Sequence, residues 1–221
     1  MTTRRLSAFP LLALFSAMAL AAPVTQDEAV ADLAHQWARI TYQTPEAQKE
    51  AALRGLLASS RQVAQAYPAR AEPLIWEAII LSSAAKAEGG LGALGKVKEA
   101  RDLLLEAEKL SPGAMNGSAL ESLGTLYAKV PGWPLSFGDK AKARDYLLKA
   151  LTVDPASMDA NYFYADFLAS QGEYEPAARY AGKALLAPPR PGREDADAGR
   201  RQDVVRLQAD IRAHGDNSAS K

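Results

Sequence analysis

The chain has two imidazoles, His35 and His214, too far apart in sequence to form a ligand pair at helical spacing. It has no cysteine, which removes a thiolate nucleophile, a thiolate metal site and any disulfide. Asp102, Glu106 and Glu108 could be general acid–base carboxylates. They alternate with Lys98, Arg101 and Lys109 at i,i+3 and i,i+4, which is the charge pattern of a solvated helix face. Serine and lysine are plentiful, but no nucleophile motif surrounds any of them. The glycine-rich stretch 89–95 invites a phosphate-loop reading. It follows a helical pattern instead of a strand, and Gly95-Lys96 runs into Val97 where such a loop needs Ser or Thr. These residues predict a binding protein with no catalytic residues, no metal site and no cofactor.

Recognition chemistry is better represented. The segment 131–138, Pro-Gly-Trp-Pro-Leu-Ser-Phe-Gly, carries two aromatics in a connection long for two packed helices. Trp133 and Phe137 could form an exposed anchor, because tryptophan is a favoured hot-spot residue. The favoured reading is that the loop folds back on its own helices, where burying two rings contributes a few kcal/mol. On that reading Trp133→Ala lowers the melting temperature clearly.

The elements that must position these residues follow one frame, Gly-x4-Ala-x3-apolar-x2-Ala-x4-Pro. It reads Gly95, Ala100, Leu104, Ala107, Pro112; then Gly138, Ala143, Leu147, Ala150, Pro155; then Gly172, Ala177, Ala181, Ala184, Pro189. Helical spacing puts the two alanines and the residue between them on one face, where small side chains let a second helix approach closely. Each proline ends its helix, since it lacks an amide donor and clashes with the preceding turn. Before the first frame, Ala31, Ala34, Trp37 and Ala38 mark one helical face, with His35 expected beside Trp37. Thr44-Pro45 opens a second helix that Pro68 stops. Asp159 is expected to cap the inner helix of the last hairpin. After the stiff segment Pro188-Pro189-Arg190-Pro191, a final helix over 194–213 carries Val204, Val205, Leu207 and Ile211, with a loose polar tail from His214.

The spacing resembles that of tetratricopeptide repeats, with Leu120, Leu123-Gly124 and Tyr127 matching the inner-helix part and the alanine frame matching the outer one. Tyr164-Ala165 and Leu168 match again, although Asn161 stands where that family has a large apolar residue. The interval Pro155 to Pro189 is 34 residues, the family's period. Pro112 to Pro155 is 43 and Pro68 to Pro112 is 44, the excess lying in the glycine-rich and Trp133 loops. The resemblance implies an all-α, right-handed α-solenoid of about four such hairpins with a C-terminal capping helix. Its organisation would be a degenerate hairpin over 22–70, repeats over 71–189, and a Pro-rich linker, capping helix and tail over 190–221. Inner helices of such arrays line a concave groove. The resemblance places Glu121, Thr125 and Lys129, and then Tyr162, Asp166 and Ser170, on that groove, as partner-binding residues or as plain solvated positions. More narrowly, 117–119, 130–139, 161–164 and 187–193 resemble a set of exported bacterial proteins of this repeat class, a likeness that bears on location and fold. A looser likeness is to the periplasmic helical-repeat partner of some substrate-binding transport systems.

Composition fits that picture. Apolar residues make up 48% and charged residues 24% of the 221 positions, which is ordinary globular usage. Arg4 and Arg5, the apolar stretch 6–20 and Ala19-Leu20-Ala21 predict a signal peptide over 1–21. Its removal leaves 24 basic against 26 acidic residues, a net of −2, which offers nucleic acid no basic surface. The expected product is periplasmic or secreted, with no stable membrane insertion after cleavage. Its expected partner is an envelope protein or peptide. The alternative is a small polar ligand, in a carrier or transporter-accessory protein whose two long loops close a pocket.

Overall fold

The computed structural model describes residues 25–219; the leader expected over 1–21 lies outside them. Among the described residues the chain forms nine α-helices in sequence: α1 (Gln26–Gln43), α2 (Glu46–Ala66), α3 (Ala71–Glu88), α4 (Ala93–Leu110), α5 (Ala114–Lys129), α6 (Lys140–Val153), α7 (Met158–Ser170), α8 (Tyr174–Leu186) and α9 (Glu194–Ala219). Consecutive helices pair as hairpins, α1 with α2 through α7 with α8, and each hairpin packs on the next. The inner helices α1, α3, α5 and α7 also touch in succession, so they form one layer and the outer helices a second. The fold is an all-α solenoid.

The alanine frame explains the spacing of the layers. Ala100, Leu104 and Ala107 on α4, Ala143, Leu147 and Ala150 on α6, and Ala177, Ala181 and Ala184 on α8 are all completely buried. With only methyl groups at two of the three contact positions on α4 and α6, and at all three on α8, each outer helix lies close to its inner partner. Gly124 on α5 completes the fit from the other side. A Cβ there would stand 2.6 Å from Leu147 Cγ and 3.1 Å from the Leu147 backbone nitrogen. Gly55, on the exposed side of α2, has no other atom within 4 Å of such a Cβ. Gly124→Ala is therefore expected to cost about 2 kcal/mol by overpacking. Gly55→Ala is expected to gain about 0.5–1 kcal/mol through helix propensity. Thermal melts of the two variants should move in opposite directions.

Caps fix the helix starts. Thr25 and Glu28 form a reciprocal capping box on α1, and Asp139 accepts from the amides of Ala141 and Lys142 at 2.9 and 3.1 Å to open α6. Ser157, two residues ahead of the expected Asp159, caps α7 by accepting from the Ala160 amide at 3.1 Å. Gly95 falls inside α4, so the expected glycine-rich loop shrinks to 89–92. The α9 helix runs on to Ala219 where a loose tail was expected, and His214 stacks on Tyr174 with ring centroids 5.6 Å apart.

The terminal helix does more than cover α8. It also packs on α7 and reaches back to α1, joining the last element to the first. Val204, Leu207 and Ile211 bury its apolar side. Gly199 lies against Tyr42 so tightly that a Cβ would sit 2.2 Å from the ring. His35 meets Asp195 at 3.0 Å, and the Tyr42 hydroxyl donates to Asp203 at 3.3 Å. His35 is thus turned to α9 and not beside Trp37, because residues two apart on a helix lie about 200° apart around its axis.

Candidate functional site: the concave face and the Trp133 loop

Between the inner helices and α9 lies a buried ionic network. Asp159 on α7 accepts from Arg200 Nε at 2.6 Å with one oxygen and from Arg190 Nη1 at 2.7 Å with the other. Arg190 in turn donates from its backbone and Nε to Asp197 at 2.9 and 2.7 Å, and Arg200 donates to Asp203 at 3.0 Å. The Arg200 guanidinium lies 4.5 Å from the centroid of Tyr162 and 4.7 Å from that of Phe163. Burial acts to raise the Asp159 carboxyl, but Arg200 and Arg190 outweigh it and hold that carboxyl below the usual range. Burial pushes the Tyr42 hydroxyl well up, Arg200 opposing and the nearby aspartates adding.

Glu121, only 5% exposed, sits beside this network and accepts from Ser157 Oγ at 3.0 Å. Burial, aided by the charge of Asp159, pushes its carboxyl up to about 8 against the opposing Ser157 bond and arginines. At neutral pH Glu121 is therefore mostly protonated, a neutral group under the terminal helix.

The six groove positions thus fall into three kinds. Glu121 and Tyr162 lie beneath α9, in contact with Ser157 and Arg200 respectively. Lys129 and Asp166 pair with each other at 2.6 Å on the open part of the face. Thr125 and Ser170 turn back on their own helix, donating to the carbonyls of Glu121 and Phe167 at 2.9 and 2.6 Å. Sequence reasoning missed Trp37, Trp76 and Arg193, which line the same face. On α3 four consecutive residues, Ile75, Trp76, Glu77 and Ala78, are all buried, so no single face of the helix marks out Trp76.

The Trp133 loop divides its two aromatics. Phe137 packs edge-on against Tyr127 at 5.4 Å, with the Arg101 guanidinium 4.7 Å from its ring centroid. Trp133 does not pack as expected: it is 90% exposed, and Leu135 beside it is exposed too. The backbone around them is pinned. Gly138 N donates to Pro131 O and Asp139 N to Tyr127 O, both at 2.9 Å, and Ser136 N donates to Gly132 O at 3.2 Å. A Cβ at Gly138 would fall 1.9 Å from Val130 O, so the loop closes only on glycine. Phe137 therefore acts as the root of the loop and Trp133 as its tip. Leu91, in the loop after α3, is also exposed on the edge where the inner helices end.

No protein-family model matches the chain, and no curated protein does so. Among solved structures, a thermophilic TPR protein of Thermus thermophilus shares 16% identity with it at a TM-score of 0.45, covering 85% of this chain and 99% of that one. MamA shares 18% identity at a TM-score of 0.41, covering 81% and 99%. PilF of Pseudomonas aeruginosa shares 16% at 0.34, covering 89% and 99%. The chain's own features, a proline-stopped alanine frame buried in every outer helix from α4 onward and hairpins stacked in sequence, make it an all-α solenoid whose repeat spacing resembles that of tetratricopeptide repeats.

Proposed function

We propose that the chain is a non-catalytic adaptor, exported to the bacterial cell envelope, that docks a protein partner through the Trp133 loop. The observation that carries this reading is a solvent-exposed tryptophan on a backbone held by hydrogen bonds at both ends. A tip already fixed in its binding shape loses little conformational freedom on docking. Exposed Leu135 extends the apolar contact, while Arg101 and Lys142 stand at its root, over the rings of Phe137 and Tyr127. The fitting partner surface is an apolar pocket with acidic groups on its rim. The concave groove contributes less than the sequence suggests, because α9 occupies the part of it that holds Glu121 and Tyr162.

The test is crosslinking capture from envelope extract with residues 22–221, in wild type and Trp133→Ala. Loss of a hot-spot tryptophan is expected to weaken capture at least tenfold. The melting temperature should stay within about 2 °C, since the side chain touches little of its own protein. Equal capture by both proteins, or a large drop in melting temperature, would overturn the reading.

A further inference from the structure

Beneath α9, independent of the Trp133 loop, the concave face encloses a cavity of about 90 Å³ that opens to solvent. Its apolar walls include Trp37, Trp76, Ile79 and Phe163, and its charged lining is Arg190, Arg193, Arg200, Asp159 and Glu121. Two of these arginines are matched: Arg190 by Asp159 and Asp197, Arg200 by Asp159 and Asp203. Arg193 has no carboxylate partner among the described residues, and its Nε is shielded from solvent with no acceptor. Its guanidinium lies 5.2 Å from the centroid of Trp76, whose Nε1 is likewise shielded and without an acceptor, in a side chain only 2% exposed. Trp37, by contrast, donates its Nε1 to Ser83 at 2.8 Å.

A buried donor left without an acceptor is costly, and two such donors on residues that line one cavity call for an acceptor within it. We propose that this cavity is a binding site for a small monocarboxylate of two to four carbons. A carboxylate brings two acceptor oxygens, and an arginine fork suits both. The short carbon stub rests against Trp76, Ile79 and Phe163. The volume sets the size: about 90 Å³ is the share of roughly three waters in the liquid and smaller than a cavity that takes benzene. The charge sets the class. Arg190 and Arg200 are matched by Asp159, Asp197 and Asp203, which leaves Arg193 as the arginine of the lining with no carboxylate paired to it among the described residues. Met115, held at φ 51 in the left-handed region, lines the cavity where the chain enters α5.

Titration of the Trp133→Phe protein tests the site, because it leaves Trp37 and Trp76 as reporters at the cavity. Sodium acetate, propionate, lactate and pyruvate are added at constant ionic strength, with chloride and propionamide as controls and calorimetry in parallel. At least one acid should give a saturable fluorescence change with a dissociation constant below about 1 mM, at least tenfold tighter than propionamide. Arg193→Gln should weaken that acid at least tenfold. Trp76→Phe, which removes the N–H together with the five-membered ring of the indole, should also weaken it, read by calorimetry on protein shown to be folded, its melt lowered by the space left in the core. Absence of saturation by all four acids at 10 mM overturns the proposal. So does equal binding of the amide, or unchanged affinity in a folded Arg193→Gln or Trp76→Phe protein. None of these outcomes bears on partner capture through Trp133.

Discussion

Asp159→Ala should lower the melting temperature by roughly 10 °C, the largest drop expected of any single substitution in this fold. The carboxylate is the common partner of Arg190 and Arg200, at 2.7 and 2.6 Å. Removing one member of a buried ion network leaves the remaining charges without compensation, at a cost of about 3–5 kcal/mol. For a domain of this size each kcal/mol moves the melt by roughly 2–4 °C. Both arginines lie in the segment that carries α9, so the loss should appear first as undocking of that helix, seen as faster amide exchange around Val204 and Leu207. The pH dependence has a definite sign. The folded-state carboxyl is held below its unfolded value, so its contribution is present above about pH 4 and is lost as pH falls further. The gap between wild type and variant should therefore narrow below about pH 4. A gap that stays constant down to pH 2 would show that Asp159 acts through packing and not through its charge.

Glu121→Gln should do the reverse and stabilise the protein, by an amount that grows as pH rises from about 4 to about 8. The carboxyl of Glu121 is pushed up to about 8 by burial and by Asp159, well above its unfolded value. A raised carboxyl favours the folded state when protonated, so its contribution is complete below about pH 4 and is lost as pH rises through about 8. Glutamine keeps the shape and the acceptor for Ser157 Oγ without having to ionise. The two proteins should melt together near pH 5. By pH 8.5 the variant should be ahead by on the order of 2 kcal/mol, or several degrees. Melts in a pH series decide the matter, and a variant less stable at every pH would mean that Glu121 is charged in its site. The groups facing it are Ser157, Asp159, Arg190 and Arg200, none of which titrates between pH 5 and 8.5.

The repeat was legible because it is local. Ala100, Leu104 and Ala107 and their two counterparts recur at one spacing, and a proline marks each end, so helix, face and stop can be read within a window of about twenty residues. The concave chemistry was not legible, for the opposite reason. Asp159 looks like a helix cap by position, and only the fold shows that Ser157 takes that role and frees Asp159 for Arg190 and Arg200. Arg190 and Arg193 sit in a proline-rich segment that reads as a spacer. Their partners Asp159 and Trp76 are distant in sequence, and no periodicity links them. Trp133 and Phe137 share a loop and a composition. What separates the half-buried root from the exposed tip is long-range contact, since Phe137 meets Tyr127 and Arg101 while Trp133 is left to solvent.

The tie between α9 and α1 also sets an order of events. The bonds from His35 to Asp195 and from Tyr42 to Asp203 join residues 160 and 161 positions apart. A chain that emerges N-terminus first makes every hairpin before its strap exists. Through that interval the rings of Tyr162 and Phe163 lack the Arg200 guanidinium that later stacks on them. Only when α9 arrives does the surface close, so the array is finished by these long-range bonds and not by the local pairing of its hairpins.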